Sequence, residues 1–237
     1  MTRICWPLFL AVSLILLVLA PRRESIISAE SGLQKVSSKT LKDGTQPPPP
    51  SPSQTTHIES NASVVPQKLS KTVLVTGALG CIGPEVVAHL LDNGYDVTVM
   101  DLMGTLDALG NYAPRVRFIQ GDIRDDDVLA QIMPSVIGVI NLASMSRVSW
   151  CSIWVKECVD INVRGVQVVA DVIAKQTNKP WLIQASSREV YGGLATMPVS
   201  EETPHKARNV YGQSKLDAEM IVRNAVRDDS FAAIIIR

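Results

Sequence analysis

From Lys71 onward, short apolar runs alternate with amphipathic stretches, so the hydrophobic period switches repeatedly between strand-like and helix-like. Residues 73–75 predict a first strand, and 84–93 predict a helix with Val86, Val87, Leu90 and Leu91 on one face and Gly94 as its stop. Further strands are expected at 96–100, 116–120, 136–142, 181–185 and 232–236. Helices fit between them at 125–133, 159–175 and 209–227. Several strands are too continuously apolar to leave one face wet, which buried parallel strands explain. The pattern predicts an α/β fold: a doubly wound parallel sheet of six strands.

The N-terminal region reads differently. Residues 4–20 carry no charge and are mostly Leu, Ile, Val and Ala, between Arg3 and the Arg22/Arg23 pair. As a helix they would span about 25 Å, the short end for a bilayer core yet longer than the apolar part of most signal peptides. Residues 1–20 are therefore expected to be a membrane-directed signal-anchor, with a cleaved signal as the alternative; Pro21 just after Ala20 disfavours cleavage there. Arginines on both sides leave the orientation open. Residues 21–70, rich in Ser, Thr, Lys, Gln and Pro, cannot supply a core and predict a solvated stem. Within the stem, Asn61-Ala62-Ser63 is a glycosylation acceptor that would be used only in the secretory lumen. The expected location is a single-pass membrane anchor facing the ER/Golgi lumen, or the exterior after cleavage.

At 237 residues, 46% hydrophobic and 19% charged, the chain can bury one sizeable core. Its 23 basic and 23 acidic residues balance, and the absence of a basic patch sets nucleic acid aside as a partner. The cysteines at 5, 81, 151 and 158 have neither metal-ligand nor disulfide-framework spacing, and no metal site is expected. If Cys151 and Cys158 shared one continuous helix, a rise of about 10.5 Å would separate them, too far to bridge, so free thiols are expected.

Two groups of residues carry chemistry. Thr76-Gly77-Ala78-Leu79-Gly80-Cys81-Ile82-Gly83 joins the first strand to the first helix. Gly77 permits a tight turn, Gly80 lets backbone approach a pyrophosphate, and Gly83 lets the helix pack close, so that its N-terminus, with Cys81 and Ile82, faces the anion. Asp101, ending the second strand, can accept both adenosine-ribose hydroxyls. Its charge, with no arginine at Leu102 or Met103, favours NAD over NADP. In the second group, Tyr211 and Lys215 stand at i and i+4 on a predicted helix, and the cation is expected to favour the phenolate. Ser186-Ser187-Arg188-Glu189-Val190-Tyr191-Gly192 follows a strand, putting hydroxyls and a carboxylate at the carboxyl end of the sheet, where such folds bind ligands.

In this order the motifs resemble the extended short-chain dehydrogenase/reductases, in particular the NAD-dependent epimerase/dehydratase enzymes of nucleotide sugars. The likeness runs from about Lys71 to Arg237 and includes Gly121-Asp122-Ile123-Arg124 and Asn141-Leu142-Ala143-Ser144. It implies a Rossmann-type domain over residues 71–237, bound NAD, a nucleotide-sugar substrate and a homodimer as one assembly. By the same resemblance Asp122 and Ile123 line the adenine, Ala143 meets the middle of the cofactor, and Asn162 lies in a helix supporting the active site. Ser187 takes the place of the catalytic hydroxyl, Tyr211 of the proton-transfer tyrosine, and Lys215 of the lysine at the nicotinamide ribose. Glu189 stands where the sugar dehydratases keep a base.

Two departures qualify that reading. Arg188 stands where the dehydratases often place an aspartic acid, which weighs against dehydration, and Asn141 replaces a more usual His. Enzymes of this resemblance also continue past residue 237 into a smaller substrate-binding lobe, which is largely missing here. The implied reaction is transient oxidation of a sugar hydroxyl, with Tyr211 taking the proton and NAD the hydride. Two alternatives stand beside it: a dehydrogenase or reductase with net redox turnover, and a non-catalytic NAD-binding or interaction protein.

Overall fold

The computed structural model describes residues 71–102, 104–193 and 198–237. The expected anchor (1–20) and stem (21–70) lie outside them; among the described residues no helix is long and apolar enough to cross a membrane. Strands β1 (Thr72–Thr76), β2 (Asp96–Asp101), β3 (Val116–Gln120), β4 (Gly138–Asn141), β5 (Trp181–Ala185) and β6 (Ala233–Ile236) form one sheet in the order β3-β2-β1-β4-β5-β6. Every pairing is parallel, as expected.

Alternate strand residues feed two separate cores, which is why the strands read as unbroken apolar runs. Leu74, Val139 and Leu182 face one layer, made by α2 (Asp126–Ile132), α5 (Gly165–Ala174) and α6 (Val210–Arg227). Val73, Val75, Val99, Ile140 and Ile183 face the other, made largely by α1 (Gly83–Asp92) and a 3₁₀ segment at Asp107–Arg115. Polar residues set the helix starts. Asp125 caps α2 by accepting from Val128 N at 3.1 Å, and Asn209 caps α6 by accepting from Gly212 N at 2.7 Å.

The connection from β4 to β5 departs from expectation. In place of one helix over 159–175 there are α3 (Val148–Ile153), α4 (Val155–Val159), a π-helical turn (Asp160–Arg164) and then α5. Trp154, at φ −109° and ψ 66°, breaks the run between α3 and α4. That break overturns the free-thiol expectation for Cys151 and Cys158: folding the two short helices together brings their Cα atoms to 5.1 Å, and the cysteines form a disulfide. Cys81 is a free, exposed thiol.

Candidate active site

Strand order reverses between β1 and β4, and both outer turns of the site open at the carboxyl ends of these and neighbouring strands. Gly77, at φ +66°, sits so close to the next crossover that a Cβ there would meet the Ala143 backbone nitrogen at 2.6 Å. At Gly83 a Cβ would meet the Ala78 carbonyl oxygen at 2.1 Å, so helix and strand pack backbone to backbone. Gly80 and Cys81 are exposed at the lip and Ile82 half-buried. Asp101 lies across from them, its Oδ2 accepting from Leu79 N at 2.9 Å, so the expected ribose carboxylate also fixes the phosphate turn. A glycine cradle that side chains would fill, bordered by a carboxylate, fits a dinucleotide that has a free ribose 2′-hydroxyl.

Asp122 and Ile123 follow β3 as expected, but they are committed to the fold as well. Asp122 accepts from Arg124 Nε at 3.0 Å, and Arg124 also reaches Asp160 at 2.6 Å. The Arg124 hydrogen bonds hold the Asp122 carboxyl below its ordinary range against the opposing effect of burial. Ile123 is buried beneath Gly165, where a Cβ would meet its Cδ1 at 2.5 Å.

A buried polar ladder unites the two halves of the site. Thr76 Oγ1 donates to Asn141 Oδ1 at 2.5 Å, Asn141 Nδ2 to Gln184 Oε1 at 2.8 Å, and Gln184 Nε2 to the Ala185 carbonyl at 3.0 Å. Asn141 thus satisfies its polar atoms across three strands, a role open to it because its amide both donates and accepts. Lys215 Nζ donates to the same Ala185 carbonyl at 3.2 Å.

Ser187, Glu189, Tyr211 and Lys215 do converge. Ser187 caps a 3₁₀ turn (Arg188–Tyr191), accepting from Glu189 N at 3.2 Å, and its hydroxyl lies near enough to the Tyr211 phenol to favour the phenolate. Glu189 is aimed by the cap of α6: Asn209 Nδ2 donates to its Oε2 at 2.9 Å. Gly212 permits this closeness, since a Cβ would meet the Glu189 carbonyl oxygen at 2.6 Å. Asn162, presented by the π turn, donates to Ser214 Oγ at 3.0 Å and to the Met145 carbonyl at 3.1 Å, bracing α6 from behind.

The expected electrostatics of the Tyr211–Lys215 pair are reversed here. Burial pushes the phenol above its ordinary value, the Glu189 carboxylate adds to this, and the Ser187 hydroxyl only opposes it. Burial also pushes Lys215 down to about 8. The cause is geometric: the ammonium lies 5.8 Å from the Tyr211 ring centroid and is spent on the Ala185 carbonyl rather than on the phenol oxygen.

One buried charge escaped the sequence reading. Glu219, 2% exposed, accepts from Ser186 Oγ at 2.5 Å and from Arg237 Nε at 2.8 Å. Burial pushes its carboxyl up, but the Arg237 and Ser186 hydrogen bonds outweigh that and hold it below the ordinary range. Beside it, a cavity of about 720 Å³ opens at the ends of β5 and β6, walled by Arg188, Tyr191, Ser200, Ile236 and Arg237.

The chain is similar to the low-salt glycan biosynthesis protein Agl12 of Haloferax volcanii, with 33% identity over 70% of this chain and 55% of that protein. It is 33% identical to UDP-glucose 4-epimerase 2 of Arabidopsis thaliana over 71% of this chain and 51% of that protein. Among solved structures, UDP-glucose 4-epimerase from Bifidobacterium longum in complex with NAD+ and UDP superposes with a TM-score of 0.65 at 32% identity, covering 70% of this chain and 52% of that one. The chain thus spans about half the length of the relatives it matches. Residues 73–237 match the model of the NAD-dependent epimerase/dehydratase family, and the chain belongs to that family.

Proposed function

We propose that the chain carries the cofactor-binding and proton-transfer half of an epimerase that acts on a nucleotide sugar. The observation that carries this reading is the meeting of Ser187, Tyr211 and Lys215 at the end of β5, on the same side of the sheet as the Gly77–Gly83 cradle and Asp101. The family is NAD-dependent and the cradle fits that dinucleotide. Gly77, Gly80 and Gly83 would admit its phosphates, Asp101 its ribose, and Ala143 would lie beside its middle. When bound, NAD supplies the acceptor that takes a hydride from the sugar and gives it back.

The chain's own groups manage the proton and the geometry. Ser187 Oγ would hold the substrate oxygen, and Tyr211 Oη would take its proton and later return it. Lys215 supplies a buried positive charge on the same helix face as Tyr211, held by the Ala185 carbonyl at the end of β5. Arg188 offers a cation, 77% exposed, at the wall of the cavity, suited to an anionic diphosphate. An arginine there, in place of an acid, favours epimerisation over dehydration.

The deciding experiment offers UDP-sugars to the full chain and follows both epimer formation and absorbance of reduced cofactor. Epimer without accumulating NADH is the expected result; stoichiometric NADH would establish a net dehydrogenase instead. NAD binding with no sugar converted would favour the non-catalytic reading. Tyr211→Phe should lower turnover at least about a hundredfold, and a parental rate in that variant ends the assignment.

We propose also that the folded region faces an oxidising lumen. The Cys151–Cys158 disulfide and the Asn61-Ala62-Ser63 acceptor support this together, since such bridges persist where thiols are not kept reduced. An endoglycosidase-sensitive mass shift that disappears in Asn61→Gln is expected from secretory cells. An unshifted parent whose cysteines are all reduced would overturn it.

A further inference from the structure

We infer that Glu219 is a positioning residue: one buried carboxylate on α6 grips both ends of the segment that carries Ser187 and Glu189. Tyr211, Lys215 and Glu219 stand at i, i+4 and i+8 on one stripe of that helix. Opposite them lie Ala185, which ends β5, and Ser186 and Ser187, which follow it, each facing a different member of the stripe. Lys215 takes the Ala185 carbonyl at 3.2 Å and Glu219 the Ser186 hydroxyl at 2.5 Å, while Tyr211 faces the Ser187 hydroxyl. The second grip runs through Arg237. Its Nη2 donates to Glu219 Oε2 at 2.6 Å while its Nη1 donates to Tyr191 Oη at 3.1 Å. Tyr191 ends the 3₁₀ turn that Ser187 begins, so Ser187 and Glu189 lie between two points tied to the same carboxylate.

A fold-stabilising side chain at this spot would be apolar, as its neighbours Ala218 and Val222 on the buried face are. Burying an ion is costly unless its partners are well placed, and apolar replacements are often neutral or better for stability alone. Here the two hydrogen-bonding partners of the ion, Ser186 and Arg237, belong to or steer the segment that faces Tyr211, while Arg223, 57% exposed on the same helix, approaches only to 3.6 Å. The arrangement buys geometry rather than stability, and misplacement of about 1 Å at such a segment is enough to slow a reaction severely.

This inference rests on the proposed reaction for its kinetic arm only. Ser186→Ala cuts the first grip while leaving Glu219, Arg237 and the groups facing Tyr211, namely Ser187, Glu189 and Lys215, in place. With a converted nucleotide sugar it should lower kcat about tenfold and leave KM within about twofold. Ser186→Thr, which keeps the hydroxyl, should restore kcat. Glu219→Gln, which keeps an acceptor but turns a donor toward Arg237, should act in the same direction as Ser186→Ala and more strongly.

The second arm needs no activity. The amides of Glu189, Val190 and Gly192 are bonded within the turn, and in Ser186→Ala their hydrogen exchange should quicken about tenfold while α5 stays protected. Parental kcat in Ser186→Ala, a lower melting temperature with kcat unmoved, or unchanged exchange at 189–192 each overturns the positioning role. A parent chain that converts no sugar counts against the epimerase reading alone, because exchange then decides the grip by itself.

Discussion

Lys215 illustrates a residue whose chemistry opposes its stability. Its side chain is buried, and burial lowers it from an ordinary 10.5 to about 8. Between those two values the unfolded chain holds a proton that the folded chain has shed. Stability from this residue therefore rises with pH across that window, is fully present above about 10.5, and is lost as pH falls through about 8. At pH 7, Lys215→Met should consequently be more stable than the parent by about 1 to 3 kcal/mol, with the gap closing as pH rises toward 10.5. Thermal melts from pH 7 to 10 test this, and a variant no more stable than the parent at pH 7 refutes it. Asp101 is opposite in kind, its carboxylate propping the phosphate turn through Leu79 N. Exchanging Asp101→Ser together with Leu102→Arg, at a position 57% exposed, should weaken NAD and shift the NADP/NAD affinity ratio upward about tenfold or more. Titrations with both cofactors read that ratio, and an unmoved preference removes Asp101 from the ribose.

Among the elements, the α3–α4 corner has the least local support and the tightest covalent one. The disulfide closes a short loop and packs with Tyr211, so opening it should cost about 2.5 kcal/mol and loosen the helix bearing the phenol. Melts with and without reductant measure the cost, and the unreduced, denatured chain should show two thiols fewer than the reduced one; equal thiol counts would disprove the bridge. This corner also marks where sequence reasoning stopped. Strands 116–120 and 181–185 match residue for residue because apolar runs with sharp polar borders specify them locally. The break at Trp154 has no such marker, being made by neither Gly nor Pro, and the disulfide follows only from the break. The proximity of Tyr211, Lys215 and the Ser187 segment was legible because helix spacing and the strand end set it, while the choice of Ser187 itself came from the family resemblance. Glu219 lies on that same helical stripe, yet a glutamate on a helix ordinarily faces solvent, and its partner Arg237, just after β6, is 18 residues away in sequence. Likewise the Thr76–Asn141–Gln184 ladder depends on strand order, which side-chain spacing alone does not reveal.

At the scale of the whole molecule, that ladder crosses the sheet where strand order reverses and ends on the carbonyl that Lys215 also uses, so the glycine cradle and α6 share one hydrogen-bonded frame. A ligand that binds only the folded cradle must then stabilise the entire sheet, and by an amount fixed by mass action. At a hundredfold excess over its Kd, NAD should add about 2.7 kcal/mol to the unfolding free energy of the full chain, raising its melting temperature by about 5 to 10 °C. The shift should persist in Tyr211→Phe, because the phenol is not in the cradle, and shrink sharply in the Asp101→Ser, Leu102→Arg pair. It should appear whether or not a nucleotide sugar is converted, which separates cofactor binding from turnover in a chain that spans about half of its relatives. Differential scanning fluorimetry across an NAD series reads all three proteins at once. No shift in the parent at millimolar NAD would refute the reading of Gly77–Gly83 and Asp101 as a dinucleotide site, while an equal shift in the Asp101 pair would leave the glycines and remove the carboxylate.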